Sequence, residues 1–324
     1  MKFIFFGTPE FATTVLEKLI RAGYIPEAVI CNPDEPVGRK QVVTPPPVKQ
    51  LVIDNTYHID IFQPTTKAEL LALNHKLLAI RPDLAIIAAY GKIIPKEILE
   101  IPVLGFLNVH PSLLPKYRGA SPIQYAILNG EKETGVTIMK IDEEMDHGPI
   151  LSVGKFPIDE NDTYKTLSGK LAEFGAELLI KIIPDYVSGK TTLVEQDHSK
   201  ATYTKIIKKE DGKINWSHSA DEILRMTYAY YPWPTAWTTW NSKTFHPAGD
   251  HPKDEKILKI IEAEVSENND RYKIGEVFLT DLELAVKSGK DVLVIKKLQL
   301  EGGNILTAKE FLNGHNNFIG STLE

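Results

Sequence analysis

The sequence of 324 residues holds a single cysteine, Cys31. A lone thiol rules out an intramolecular disulfide and a cysteine-based zinc site, and it suits a reducing, cytoplasmic setting. Long hydrophobic runs are also missing. No apolar stretch approaches the roughly 18 residues that a membrane span needs. The apolar run Phe3–Phe6 behind Lys2 is too short for the core of a secretion signal and reads as a buried first strand. Positive charge is scarce: 37 Lys plus Arg stand against 43 Asp plus Glu, a net charge of -6. That argues against a protein that coats nucleic acid by bulk charge, while local basic patches stay open. Internal repeats and low-complexity blocks are absent too, and the ordinary composition argues against a fibre, a coiled coil or a disordered chain. Finally, Gly7-Thr8-Pro9-Glu10-Phe11 lacks the second glycine of the dinucleotide fingerprint, so a nicotinamide oxidoreductase is disfavoured.

What is present is ordinary globular sequence, 43% hydrophobic and 25% charged. At about 150 residues per domain the length predicts two domains. In the first half, strand and helix signals alternate. Apolar runs at Phe3–Phe6, Ala28–Cys31, Ile59–Phe62, Leu84–Ala89 and Gly105–His110 read as strands. Between them, Phe11, Val15, Leu16 and Leu19 fall at helical spacing behind Pro9, with Thr8 as the expected cap. A second helix is expected over 67–80 and a long one from Thr163 to Val187. This alternation predicts an α/β fold with an open, doubly wound parallel sheet, whose ligands bind at the carboxyl ends of the strands. From Gly189 the chain turns polar, which predicts a linker over 189–205. Beyond it come a helix near 220–230 and short strands at 235–240, 257–265, 274–279, 282–285 and 292–300, a pattern that predicts a small antiparallel barrel or sandwich.

Three stretches carry chemistry. In the strand ending Leu107-Asn108-Val109-His110, alternate residues face one side, so Asn108 and His110 point together at the sheet's carboxyl end. An amide there can donate to a developing oxyanion, and an imidazole can move a proton near neutral pH. The alternative is a strand-end Asn cap beside a structural His. Pro111 to Gly119 is a proline-bracketed loop that leads into a helix at Ser121-Pro122, the build of a rigid binding loop. Asp142-Glu143-Glu144-Met145-Asp146-His147-Gly148 is either a solvated acidic turn or the source of a carboxylate that orients and charges His110. Asp146 is the candidate, with Gly148 permitting a sharp return; Asp142 and Glu144 are its competitors.

Together these residues resemble the 10-formyltetrahydrofolate-dependent formyltransferase family. The resemblance runs through Asn108-Val109-His110, Ser112-Leu113-Leu114-Pro115-Lys116-Tyr117-Arg118-Gly119, Gly135-Val136-Thr137-Ile138-Met139 and Asp146. Phe6-Gly7-Thr8-Pro9-Glu10-Phe11, Asn32 to Arg39, Ala88 to Pro95, Ile214-Asn215-Trp216 and Pro232 to Trp237 resemble those members that act on methionyl-tRNA. The resemblance implies a Rossmann-like catalytic domain over 1–188 and an OB-like tRNA-binding barrel over 206–324. It implies a formyl transfer from 10-formyltetrahydrofolate to the α-amino group of initiator methionyl-tRNA, by a monomer and without a metal. Asn108, His110 and Asp146 fall on the catalytic positions. Ser112, Leu113, Leu114, Pro115, Ala89, Tyr90, Gly91 and Ile94 fall on the folate side. Arg39 and Lys40, with Lys208, Lys209 and Lys213, would meet tRNA. The Lys208–Lys213 run alternatively reads as a solvated linker, since residues 206–324 hold 15 Lys plus Arg against 18 Asp plus Glu. Trp233 and Trp237 are expected in the core. A sugar-nucleotide N-formyltransferase, sharing the catalytic residues, is the rival within the family. A non-catalytic RNA-binding protein on the same body is the rival outside it.

Overall fold

A computed structural model describes residues 1–38, 40–241, 255–267 and 271–324. Arg39 therefore lies outside the described residues. The chain divides into two compact units.

The first unit comprises Met1–Ile123, Lys132–Ile158 and Thr166–Lys205. Its strands are β1 (Phe3–Gly7), β2 (Ala28–Ile30), a short hairpin of β3 (Glu35–Val37) and β4 (Val42–Thr44), β5 (Asp60–Phe62), β6 (Leu84–Ala88), β7 (Phe106–His110), β8 (Arg118–Gly119), β9 (Glu133–Lys140), β10 (Ile150–Pro157) and β11 (Tyr203–Thr204). Seven of them form one sheet in the order β10-β9-β7-β6-β1-β2-β5. The pairings from β5 to β7 are parallel, and β9 and β10 are added antiparallel at the far edge. β1, β6 and β7 are buried along their whole length, as central strands covered on both faces must be, which is why they read as unbroken apolar runs. Chain order runs outward from β1 to β2 and β5, then crosses to β6 on the other side. The order reverses there, which opens a crevice at the carboxyl ends of β1 and β6, between Gly7-Thr8 and Ala89-Tyr90-Gly91. The fold class read from the sequence, Rossmann-like and doubly wound, is the one observed.

Two local readings are corrected. Helix α1 (Glu10–Arg21) has Pro9 as its N-cap and no side-chain cap; the Thr8 hydroxyl instead accepts from Asn32 N at 3.2 Å, tying the first crossover to the end of β2. The helix expected over 67–80 is two helices, Lys67–Ala72 and Asn74–Ile80, joined at Leu73. Thr66 caps the first by accepting from Glu69 N, and Asn74, a poor interior helix former, begins the second. Strands β3 and β4 pair antiparallel, and Val37, Val42 and Val43 are exposed.

Cys31, just past β2, is fully buried at 0% exposure, and that burial pushes its thiol up to about 11. At pH 8 only about one thiol in a thousand would then be thiolate, against roughly a quarter for an ordinary cysteine. Labelling by a disulfide reagent, followed by absorbance, is expected to run at least about 100-fold slower in the native protein than in denaturant. Equal rates would contradict the placement of Cys31.

The second unit comprises Gln124–Glu131, Asp159–Lys165 and Ile206–Glu324. A helix at Ala220–Ala229 starts at a capping box, in which Ser219 N donates to Glu222 at 2.9 Å and Glu222 N donates back to Ser219 at 3.3 Å. Strands β12 (Ala236–Asn241), β13 (Glu255–Ser266), β14 (Val277–Thr280), β15 (Glu283–Lys287) and β16 (Val292–Leu300) form an antiparallel sheet in the order β12-β13-β16-β15-β14, with β17 (Ile305–Thr307) paired to β16. Residues 320–324 bond to both sheet edges. Thr239 N donates to Glu324 O at 2.9 Å beside β12, and Val277 N donates to Ser321 O at 2.9 Å on β14. The sheet thus closes into an OB-like barrel through its own tail. Trp240 fills the barrel core against Phe311 and Phe318. Trp233, expected in the core, is 57% exposed, whereas Trp237 is half-buried and donates its indole N–H to Lys209 O at 3.0 Å. Proline brackets hold Trp233 in the Tyr231–Pro234 turn before β12, outside the inward-facing alternation that seats Trp240.

Candidate functional site

Asn108 and His110 are two apart on β7 and share a face. The register sets Asn108 between Ile87 of β6 and Met139 of β9, so it stands at the carboxyl end beside the crevice. Both residues are buried. Asp146 reaches them from the loop between β9 and β10. Asn108 Nδ2 donates towards Asp146 Oδ1 at 3.5 Å, and His110 Nδ1 lies 3.6 Å from the same oxygen, beyond a tight hydrogen bond. The other carboxylate oxygen accepts from Gly119 N at 2.7 Å. His110 Nε2 lies 3.0 Å from Tyr117 O. A carbonyl only accepts, so Nε2 carries a proton, and Nδ1 faces a second oxygen.

The competing carboxylates are occupied elsewhere. Asp142 Oδ2 pairs with His147 Nδ1 at 2.7 Å, and Glu143 pairs with Lys96 at 2.6 Å. Glu144 lies 4.0 Å from His147 Nε2. The sharp return of this loop is made by Asp146 itself, at φ +50°, a region sparsely populated by non-glycine residues. Gly148 is needed for space instead: a Cβ there would sit 2.0 Å from Lys140 O.

The Ser112–Lys116 loop is tied to itself and to β9. Ser112 Oγ donates to Lys116 O at 2.7 Å, Thr137 Oγ1 donates to Ser112 O at 2.7 Å, and Leu114 N donates to Thr137 Oγ1 at 3.2 Å. The side chains of Ser112 and Leu114 are consumed by this packing, while Leu113 and Pro115 stay half-exposed. At the end of β6, Ala89 and Gly91 are exposed and Ile94 is half-buried. The Tyr90 ring packs edge-on to Phe6 at 5.3 Å, and burial pushes its phenol up to about 12. Its hydroxyl and Asn32 Oδ1 are buried without a hydrogen-bond partner, two polar atoms near the crevice that a ligand or water would satisfy.

Residues 189–205, polar in composition, are fastened to this unit. Val194 exchanges backbone bonds with Ile150, and β11 pairs in parallel with β8. Thr202 Oγ1 accepts from Tyr117 N at 2.8 Å, and Gln196 is buried beside Arg118. Neither Gln196 nor Thr202 was singled out by the sequence, because polar side chains bonded to distant backbone leave no periodic trace.

Lys40 is exposed beside the hairpin. In the second unit Lys208, Lys209 and Lys213 are exposed around the turn at Lys209–Gly212, and none of them enters an ion pair among the described residues. Lys213 Nζ lies 5.9 Å over the Trp237 ring. Among the described residues no group of three or more His, Cys, Asp and Glu could hold a metal ion, and no helix is long and apolar enough to cross a membrane.

Residues 1–183 match the formyl transferase family and residues 206–316 match its C-terminal domain. The methionyl-tRNA formyltransferase of Caldicellulosiruptor saccharolyticus is 40% identical over 319 residues, 97% of each chain. That of Chloroflexus aggregans is 45% identical over 316 residues, again 97% of each. An N-formyltransferase from Helicobacter canadensis, solved with folinic acid and dTDP-3-aminofucose, shares the fold at a TM-score of 0.62 and 20% identity, over 91% of this chain and 99% of that one.

Proposed function

The chain belongs to the formyl transferase family, and on that premise we propose that it moves the formyl group of 10-formyltetrahydrofolate to the α-amino group of initiator methionyl-tRNA, as a cytoplasmic monomer. Relatives of that name match over nearly the full length at 40% and 45% identity. The observation that carries the chemistry is the convergence of Asn108 Nδ2, His110 Nδ1 and Gly119 N on one carboxylate, that of Asp146.

The donor's formyl carbon sits against this cluster. The methionine amine attacks it, a new C–N bond forms, and the carbonyl oxygen gains negative charge. Asn108 Nδ2–H and His110 Nδ1–H are the two donors able to meet that oxygen. The gaps of 3.5 and 3.6 Å leave them loosely engaged before substrate binds. Tyr117 O holds Nε2 and so aims Nδ1, while Asp146 supports the charged ring. The amine's proton passes through the Asp146–His110 pair to the folate nitrogen as the old C–N bond breaks. No covalent enzyme intermediate is needed.

The donor is placed along the crevice, against Leu113 and Pro115 on one side and Ala89, Gly91 and Ile94 on the other, with Ser112, Leu114 and Tyr90 supporting it through backbone and packing. The orphaned Tyr90 hydroxyl and Asn32 Oδ1 suit a polar ligand there. Residues 1–188 act as the catalytic domain and 206–324 as the tRNA-binding domain, with 189–205 between them.

Incubation with 10-formyltetrahydrofolate and either methionyl-tRNA or a dTDP-amino sugar tests the reading. Formylation of the sugar alone would replace it with a sugar-nucleotide N-formyltransferase. Arg39, Lys40, Lys208, Lys209 and Lys213 are proposed to contact tRNA phosphates. Arg39→Ala, and separately the triple change Lys208→Ala, Lys209→Ala, Lys213→Ala, are expected to raise the KM for tRNA about tenfold and leave the folate Kd unchanged. The triple variant is also expected to flatten the log–log salt slope of tRNA binding by roughly 0.7–0.9 per lost contact. Wild-type KM and slope in both variants would refute this account of how tRNA is held.

A further inference from the structure

We propose that Gln196 is a positioning residue for the Asp146 carboxylate, acting through the backbone of the 142–149 loop; the proposal rests on the formyl-transfer reading above.

Gln196 is 5% exposed and its carboxamide is saturated. Oε1 accepts from Arg118 Nη2 at 2.7 Å and from Arg118 Nε at 3.2 Å. Nε2 donates to Asp146 O at 2.9 Å and to Gly148 O at 2.8 Å. Two lone pairs and two N–H groups are all used. The orientation has no alternative, because a flipped amide would set its NH2 against a guanidinium and its oxygen against two carbonyls.

The two carbonyls belong to the residues that make the turn. Asp146 holds φ +50°, and a non-glycine residue in that region persists only where its surroundings over-determine it. Gln196 supplies that constraint directly, by bonding Asp146's own carbonyl. The other end of the amide is equally fixed. Arg118 is 1% exposed, and its remaining guanidinium partners are Tyr203 OH at 3.3 Å and His198 Nδ1 at 2.8 Å. Arg118 and Gly119 form β8. Arg118 grips the loop's backbone through Gln196, and Gly119 N grips the Asp146 carboxylate at 2.7 Å. A closed ring of contacts thus runs from β8 through Gln196 to the Asp146 backbone, out along its side chain and back to β8. Gly119 fits there because a Cβ would meet Thr204 O at 2.6 Å and because φ is +104°. The carboxylate's place opposite His110 and Asn108 is set by this ring.

Gln196→Glu separates the two halves of the ring. A carboxylate still accepts from Arg118 but has no N–H for the two carbonyls and repels them. Gln196→Ala removes both halves, and Gln196→Met keeps the shape without polarity. Each is compared with wild type in formylation of methionyl-tRNA and in amide exchange by NMR. In all three, kcat is expected to fall about 10- to 100-fold with both KM values within about threefold, since a misplaced catalytic group costs rate rather than binding. The Gly119 amide is expected to exchange about tenfold faster, while the Val109 amide on β7 is unchanged. Wild-type kcat with wild-type Gly119 protection in Gln196→Glu overturns the proposal. So does equal acceleration at Gly119 and Val109, which marks general destabilisation, or loss of the fold in all three variants. If wild type does not formylate methionyl-tRNA at all, the functional reading fails on its own, and the Gly119 and Val109 amides still decide the role of Gln196.

Discussion

Asn108→Ala and His110→Ala are each expected to lower kcat for formyl transfer by at least about 100-fold in folded protein. Asn108 Nδ2 and His110 Nδ1 both approach Asp146 Oδ1, at 3.5 and 3.6 Å, so they bound one small space from adjacent positions on the same strand face. An oxyanion forming there is stabilised by donors already in place. Removing one leaves a single donor and a gap that water fills with disordered dipoles. The two side chains act on the same oxygen, so the double variant is expected to lose far less than the product of the single losses. Single-turnover formylation with saturating donor measures this. A folded single variant that keeps kcat within about threefold would remove that residue from the mechanism.

Asp146→Asn is expected to cost a further class of loss, about 100- to 1,000-fold in kcat, without unfolding. The amide oxygen can still accept from Gly119 N, so the loop keeps its anchor. Its NH2 then points at His110 Nδ1 and Asn108 Nδ2. A neutral imidazole answers by turning its Nδ1 lone pair towards that NH2, while Nε2–H continues to bond Tyr117 O at 3.0 Å. The ring is held neutral and its donor becomes an acceptor, so one oxyanion contact is lost and the proton path is cut. Asp146→Ala, which also empties the Gly119 contact, is expected to be no more active. Near-normal turnover in Asp146→Asn would show that shape rather than charge matters at this position.

Much of the first unit was legible because its code is local. Buried parallel strands must be apolar along their length, so Leu84–Ala88 and Phe106–His110 announce themselves, and the pairing of Asn108 with His110 follows from the two-residue period of a strand. The barrel strand Val292–Leu300 was readable to the residue for the same kind of reason. The losses have physical causes too. A break at Leu73 depends on a cap and one poor helix former, which a window of apolar spacing averages away. Trp233 was assigned to the core by residue type, yet burial is decided by which face a turn presents. Within the stretch 189–205, read as a linker, composition cannot distinguish a side chain bonded to water from one bonded to a carbonyl 50 residues earlier, as Gln196 is to that of Asp146. Arg39, the most pointed of the acceptor-side expectations, lies outside the described residues.

The tail that seals the barrel has a kinetic consequence. Thr239 donates to Glu324 across 85 residues of chain, and the opposite edge of the same sheet bonds Ser321. Hairpins such as β14–β15 can zip locally, but the seam waits for two ends of a long segment to meet, and the entropy of that meeting is lost before any bond rewards it. Closure of the barrel is therefore expected to wait on this 85-residue contact. Trp240, bridged to Leu323 across the seam, is the natural reporter of that final step.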